Sequence, residues 1–195
     1  MLKQLKPSIL MLVWFTVITG LLYPLLTTGL AQLTMPGKAN GSLISKDGKV
    51  VGSELIGQNF TAAKYLWGRL SATSPYPYNA ANSSGSNLGP LNPALGDAAK
   101  ARIDALAKAE QEAGVAPGKA VPIDLITASG SGLDADISVA AADYQAARIA
   151  KARGLTDAQV REIIRAHTKG KWLGVFGEAR VNVLQVNLSL DQIRA

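Results

Sequence analysis

The apolar positions of this chain form one long block and then a series of short periodic runs. From Pro7 to Gly37 no residue is charged. Ile9 to Leu33 reads ILMLVWFTVITGLLYPLLTTGLAQL, with 17 of 25 positions hydrophobic. About 20 helical residues cross a hydrocarbon core of ~30 Å, so this block predicts a transmembrane helix over 9–33. Trp14 and Tyr23 lie inside the span rather than at its ends. Gly20 and Pro24 would kink a soluble helix. A membrane helix tolerates them where a neighbouring helix or a Thr hydroxyl takes up the freed backbone groups. Gly20, Thr16, Thr27 and Thr28 offer small-residue contacts to a partner helix.

A cleavable signal peptide is the competing reading. Lys3 and Lys6 form a basic start and Gly29-Leu30-Ala31 resembles a small-x-small cleavage site. The apolar block, however, outruns the roughly 7–15 residues of a signal-peptide core. The positive-inside rule keeps Lys3 and Lys6 cytoplasmic, although Lys38, Lys46 and Lys49 just beyond the span weaken that bias. The expected arrangement is a cytoplasmic N-terminus over 1–8, a single span over 9–33 and an extracytoplasmic domain over 34–195.

Beyond the span the period changes repeatedly. Leu43-Ile44-Ser45 and Lys49-Val50-Val51 flank Asp47-Gly48, a hairpin signal. Leu55, Ile56 and Phe60 follow as core candidates. Ser71 to Pro93 is rich in Ser, Asn, Pro, Gly and Tyr and carries no period. A stretch that long is either disordered or functional, and its Pro and Tyr content points to an ordered, packed loop.

An Ala-rich helix is predicted over 94–113, with Leu95, Ala99, Ile103 and Leu106 on one face and Gly114 as its stop. Val121 to Thr127 reads as a strand, restricted by Pro122 to an edge or a strand start. Ser138 caps a second helix that Gly154 ends, with Val139, Ala142, Ala146 and Ile149 as its stripe. Thr156 and Gln159 form a capping box for a third, and Leu155 with Val160 can staple its entry. Arg180 to Leu190 alternates and reads as a strand. The fold class expected is α/β, more accurately α+β-like: an extracytoplasmic domain with a small mixed sheet and about three helices, anchored by one N-terminal transmembrane helix.

Composition narrows the chemistry. The 195 residues suit one domain plus an appendage. With no Cys and a single His, disulfide scaffolds, thiol catalysis, Cys-based zinc and multi-histidine metal sites are excluded. The net charge of +6 is dispersed along the sequence, which argues against nucleic acid as a partner.

Ser83 to Gly89 and Ser129 to Gly132 are Gly-rich but lack a P-loop ending and a dinucleotide-binding setting, so ordered turns or interface loops are the expectation. His167, near a helix C-terminus, suits the macrodipole and has no evident catalytic partner. Asp134 and Asp136 make a weak cation site and suit a helix N-terminus better. No catalytic residue and no metal ligand is assigned. From the residues alone, the chain is an anchored, non-enzymatic accessory subunit or binding module.

Several segments resemble KdpC, the small subunit of the bacterial potassium-transporting P-type ATPase. They are TGLLYPLLTTGLAQ in the span, NGSLI from Asn40, GSELIGQNF from Gly52, and YNAANSSGSNLGPLNPAL from Tyr78. Further on come VPIDLITASGSGLDADIS from Val121, AARIAKARGL from Ala146, and RVNVLQVNLSLD from Arg180. The resemblance runs in order along the whole chain. Departures occur at Leu70, where the family usually has Pro, at Ala179, where it often has Pro, and at Ala135-Asp136, where it often has Pro-His.

The resemblance implies a subunit without cofactors of its own, in a complex that handles ATP and potassium. Its implied partners are a potassium-channel-like subunit and an ATP-hydrolysing P-type subunit, with a further small single-span subunit as a candidate, all in a lipid bilayer. Two roles follow from it. One is a catalytic chaperone that raises ATP affinity, with Gln145 as the proposed nucleotide contact. The other is a subunit that stabilises assembly or covers the outer potassium entrance. An N-in anchor puts Gln145 and the ATP on opposite sides of the membrane, which favours assembly and allosteric action. A stand-alone anchored module for a periplasmic solute or peptide is the alternative. The loops Tyr78 to Asn92 and Ser129 to Ser138 are the interface candidates.

Overall fold

The computed structural model describes residues 2–118 and 120–193. The chain divides into two compact units, Met1–Val50 and Val51–Ala195.

The first unit is dominated by one helical rod built from α1 (Leu2–Val17), a π-helical turn (Ile18–Leu22) and α2 (Tyr23–Thr34). Lys3–Thr34 is apolar and long enough to cross a membrane, and none of it is buried in the protein. The π turn has an identifiable cause. Pro24 lacks an N–H for the carbonyl four residues back, and its ring crowds that carbonyl. One wide turn just before it moves the ladder to an i→i+5 step, in which the Tyr23 N–H donates to Ile18 O. Threonine hydroxyls turn inward: Thr19 donates to Phe15 O at 2.6 Å, and Thr27 to Tyr23 O and Pro24 O at 2.9 and 3.1 Å. The Thr19 and Thr27 hydroxyls are therefore satisfied within the rod.

After the one-turn α3 (Pro36–Ala39), strands β1 (Leu43–Lys46) and β2 (Lys49–Ser53) form the expected hairpin. Asp47 and Gly48 both have positive φ, at 51° and 74°, as a type I′ turn requires.

The second unit has a three-stranded sheet in the order β3 (Asp136–Ser138), β5 (Arg180–Asn182), β4 (Thr168–Lys169). Both ladders are antiparallel, with Ile137 and Thr168 opposite Val181. Around it lie α4 (Pro93–Glu112), α5 (Ile123–Ile126), α6 (Val139–Arg153), α7 (Asp157–Ala166) and α8 (Val183–Leu190). The core is small-residue rich. Ala141, Ala142 and Ala146 of α6 meet Val160 and Ile164 of α7, Val181 and Val186. Short side chains bring backbones close, so the domain gains packing density rather than large buried areas.

The three long helices and their caps match the sequence pattern. Ser138 accepts the Ala141 N–H and Gly154 closes α6 at φ 66°. Thr156 and Gln159 form the capping box reciprocally. Leu155 packs against the core beside buried Val160.

Two expected strands are corrected. Val121–Thr127 is not a strand: Pro122 sits at the N-cap of the one-turn α5, which buries Leu125 and leaves Ile123 exposed. Arg180–Leu190 is a strand for three residues only. The Asn182 side chain then accepts the Gln185 N–H and starts α8, which buries Val183, Leu184, Val186, Asn187 and Leu190. That set has helical spacing, which the alternation of Leu184, Val186, Leu188 and Leu190 had masked.

Two core candidates are also displaced. Ile103 is 38% exposed and Leu55 is 63% exposed. The α4 face toward the domain carries Arg102 beside Leu106 instead.

The loop after Ser71 is ordered, as anticipated, and its neighbour is the second Gly-rich loop. Ser83 donates to Ser131 O at 2.9 Å, and Ser71 donates to Gly132 O at 2.7 Å. Gly132 has φ 69°, and a Cβ there would meet Thr73 Cγ2 at 2.5 Å and the Ser84 carbonyl at 2.7 Å. Gly154 has a similar φ with nothing within 4 Å. Gly154→Ala is expected to cost about 1 kcal/mol from backbone strain alone, and Gly132→Ala at least about twice that because strain and clash combine. Denaturant unfolding of the full chain in detergent checks the ranking; equal losses would contradict it.

Candidate functional site

The part of the domain richest in placed polar groups is a stretch without regular structure. Residues 63–69 have no strand partner, and Leu66, Trp67 and Gly68 among them are buried. Backbone carbonyls cannot be buried unpaired, and here each one meets a side chain. Arg148 donates to Ala63 O and, at 3.1 Å, to Tyr65 O. Arg153 Nε donates to Lys64 O at 2.7 Å. Asn187 Nδ2 donates to Leu66 O at 2.9 Å, and Gln145 Nε2 to Trp67 O at 3.0 Å. Arg102 Nη2 donates to Gly68 O at 2.7 Å, and the Tyr78 hydroxyl to Arg69 O at 2.6 Å.

Two of these contacts are bidentate. Asn187 Oδ1 accepts the Leu66 N–H at 2.8 Å and Gln145 Oε1 accepts the Trp67 N–H at 2.9 Å. Each primary amide thus replaces the neighbouring strand that a sheet would supply.

Helix periodicity explains the arrangement. Gln145, Arg148 and Arg153 point from successive turns of α6, Asn187 comes from α8 and Arg102 from α4. The Trp67 ring lies near both Arg102 and Arg148, whose guanidinium carbons are 4.7 and 4.9 Å from its centroid. Such contacts gain strength where water is excluded. Burial lowers Arg148 to about 10 and lowers Arg102 as well. Glu110 and Tyr144 partly offset the effect at Arg148. Burial, reinforced by Glu110, pushes the Tyr144 hydroxyl up to about 12. Burial also pushes the Tyr78 hydroxyl up to about 12, with Arg102 and Arg69 opposing it and Asp134 adding to it.

Gln145 is the residue that family resemblance puts at a nucleotide. Its side chain has no exposed surface. Nε2 donates to Trp67 O and Ala141 O, and Oε1 accepts from the Trp67 N–H and from Arg148 Nη2 at 2.6 Å. Both donors and both acceptor positions of the amide are filled by protein.

The other candidates are distributed around the surface. Asp134 pairs with Arg69 at 3.2 Å, and Asp136 pairs with Arg180 at 2.8 Å and accepts from Asn182. Asp124, not singled out in the sequence, accepts the Ser138 N–H at 2.8 Å and so supports the start of α6. These three carboxylates and Glu178 line an open cleft of about 390 Å³ with Arg69 and Arg180. Among the described residues no group of three or more carboxylates and His is placed to hold a metal ion. His167 ends α7 and its Nε2 lies 2.7 Å from Ser189 Oγ. The two Gly-rich loops pack on each other, and Gly85 and Gly132 permit the close approach.

Sequence reading missed the carbonyl cradle. Asn187 and Arg102 gave no motif, although a Gln, an Asn and two Arg inside apolar helix stripes are a signal for buried polar work.

The chain thus combines an apolar helix long enough to cross a membrane with a small α+β domain in which several polar side chains bond its own backbone. The KdpC family, described as the K+-transporting ATPase, c chain, matches residues 5–192. Proteins named potassium-transporting ATPase KdpC subunit from Burkholderia mallei (strain SAVP1) and Burkholderia pseudomallei (strain K96243) are each 57% identical over 190 residues, covering 97% of this chain and 96% of the relative. That of Herpetosiphon aurantiacus is 56% identical over the same share. The chain belongs to the KdpC family.

The cradle makes a stability prediction. Gln145→Ala strips the partners from the Trp67 N–H and carbonyl and from one Arg148 nitrogen. It is expected to cost about 3 kcal/mol or more; Asn187→Ala, with two orphaned groups, costs about 2 kcal/mol. Urea unfolding of the full chain measures both, and a loss under about 1 kcal/mol at Gln145 would contradict the assignment.

Proposed function

We propose that this chain is the accessory subunit of a high-affinity, ATP-driven potassium uptake complex, without catalysis of its own. Its N-terminus is cytoplasmic, its single helix crosses the inner membrane, and its domain stands outside. There it stabilises assembly of the potassium-selective and ATP-hydrolysing subunits. An influence on the ATP affinity of the pump subunit travels allosterically, because the domain binds two pump states unequally.

The observation that carries this reading is the state of Gln145. An amide with no exposed surface and four internal hydrogen bonds offers nothing to a nucleotide. Direct contact would require the Trp67 and Arg148 partners to be abandoned at the cost of several buried, unpaired groups. Family membership supports the role in the complex, and the apolar rod supports the anchor.

Topology is tested with a thiol placed where reagent can reach it. The chain has no Cys, and Leu91 is 97% exposed whereas Gln145 is enclosed. Leu91→Cys should react with a membrane-impermeant maleimide added to intact spheroplasts. Reaction only after the membrane is opened would overturn the N-in arrangement. Deleting the subunit should abolish potassium-stimulated ATPase activity and recovery of the assembled complex. An intact complex without it would contradict the assembly role.

A further inference from the structure

Four large apolar side chains stand together on one tight turn between β4 and β5. Trp172, Leu173, Val175 and Phe176 are 70%, 72%, 75% and 59% exposed. The turn is built. Trp172 and Phe176 exchange both backbone hydrogen bonds at 2.9 Å, and their rings lie 5.6 Å apart. Leu173 is held at φ 52° and Gly174 at φ 75°. A left-handed conformation is unfavourable for a branched residue such as Leu. Its side chain is not packed in the core, so the strain presents it to the surroundings. A soluble surface has no use for this arrangement, since exposed apolar clusters mark places where something else binds.

One cation beside the turn, Lys171, narrows the partner. From Arg165 to Gly177 the chain carries Arg165, Lys169 and Lys171 and no acidic residue, and Arg165 pairs with Glu162 just before it. Lys169 pairs with Glu54, and Lys171 with the highly exposed Glu178 at 3.4 Å. An exposed pair of the latter kind is weak, which leaves Lys171 able to turn to another anion. A Trp and a Phe with aliphatic neighbours, next to flexible Lys side chains, match the boundary between anionic headgroups and acyl chains. The domain is also covalently tied to an apolar helix of membrane-spanning length, so a bilayer surface is always at high effective concentration.

We propose that the Trp172–Phe176 turn inserts into the headgroup–acyl boundary of an anionic bilayer and is a second, reversible membrane contact of the domain. The insertion buries Trp172, Leu173, Val175 and Phe176, while Lys171 faces phosphate. It does not depend on which side of the membrane the domain occupies, so its failure and that of the topology above are distinguishable.

The test uses the full chain in vesicles of phosphatidylethanolamine and phosphatidylglycerol, with or without acyl chains brominated near the headgroup. Trp14 is replaced by Phe to silence the span, and Trp67 is enclosed. The fluorescence difference between W14F and W14F/W172F chains therefore reports Trp172 alone. The expected result is about a two-fold or greater loss of the Trp172 signal in brominated vesicles, with protection from aqueous iodide. An unquenched Trp172 still reached by iodide would overturn the proposal. An unquenched Trp172 that iodide reaches until the other subunits are added would overturn it too, and would make the turn a protein-docking knob.

Discussion

Seven consecutive carbonyls, Ala63 to Arg69, have no strand beside them, Leu66, Trp67 and Gly68 among them are buried, and side chains from four other parts of the domain meet their demand for donors. A buried, unpaired carbonyl costs more than a hydrogen bond returns. The domain answers with three arginines, two primary amides and a tyrosine hydroxyl. These come from α4, α6, α8 and the loop at Tyr78. Helix orientation, the small Ala face of α6 and the ordering of the Ser71 loop all serve one requirement. If α6 rotated, Gln145, Arg148 and Arg153 would leave the segment together.

That requirement also ties up the side chains that supply it. The domain's most conspicuous polar groups are committed inward. Trp67 and the two guanidinium groups near it are packed rather than presented, and Gln145 has no free position. The outward carboxylates Asp124, Asp134 and Asp136 are engaged by a helix start or by arginines. The assembly role proposed above draws on that commitment. Any long-range effect from the domain must pass through differential contact with partners, since coupling needs unequal binding to two states.

Much of this was legible in the sequence because the relevant forces are local. The uncharged block from Pro7 to Gly37, the Asp47-Gly48 turn, the Thr156–Gln159 box and the Gly154 stop each announce themselves within a few residues, and each is found. The failures arise where tertiary context decides. Val121–Thr127 is apolar enough for a strand, but no neighbouring strand is available and Pro122 turns it into a single helical turn. Alternation over Arg180–Leu190 hid a helix whose cap, Asn182, was in plain view three residues before Gln185. The cradle was not legible at all, because its members lie far apart in the chain and meet only on folding. Even so, Gln145 and Arg148 on an Ala-rich buried stripe were an anomaly that asked for a buried acceptor.

The claim on which the account rests is that side chains alone hold the Leu66 and Trp67 backbone as firmly as a sheet would. Native-state amide hydrogen exchange on the full chain tests it residue by residue. The Leu66 and Trp67 amides should rank with the slowest, alongside those of α6, and Gln145→Ala should release Trp67 well before α6 itself opens. Exchange of Trp67 at the rate of an exposed loop in the unaltered protein, or unchanged protection in Gln145→Ala, would contradict it.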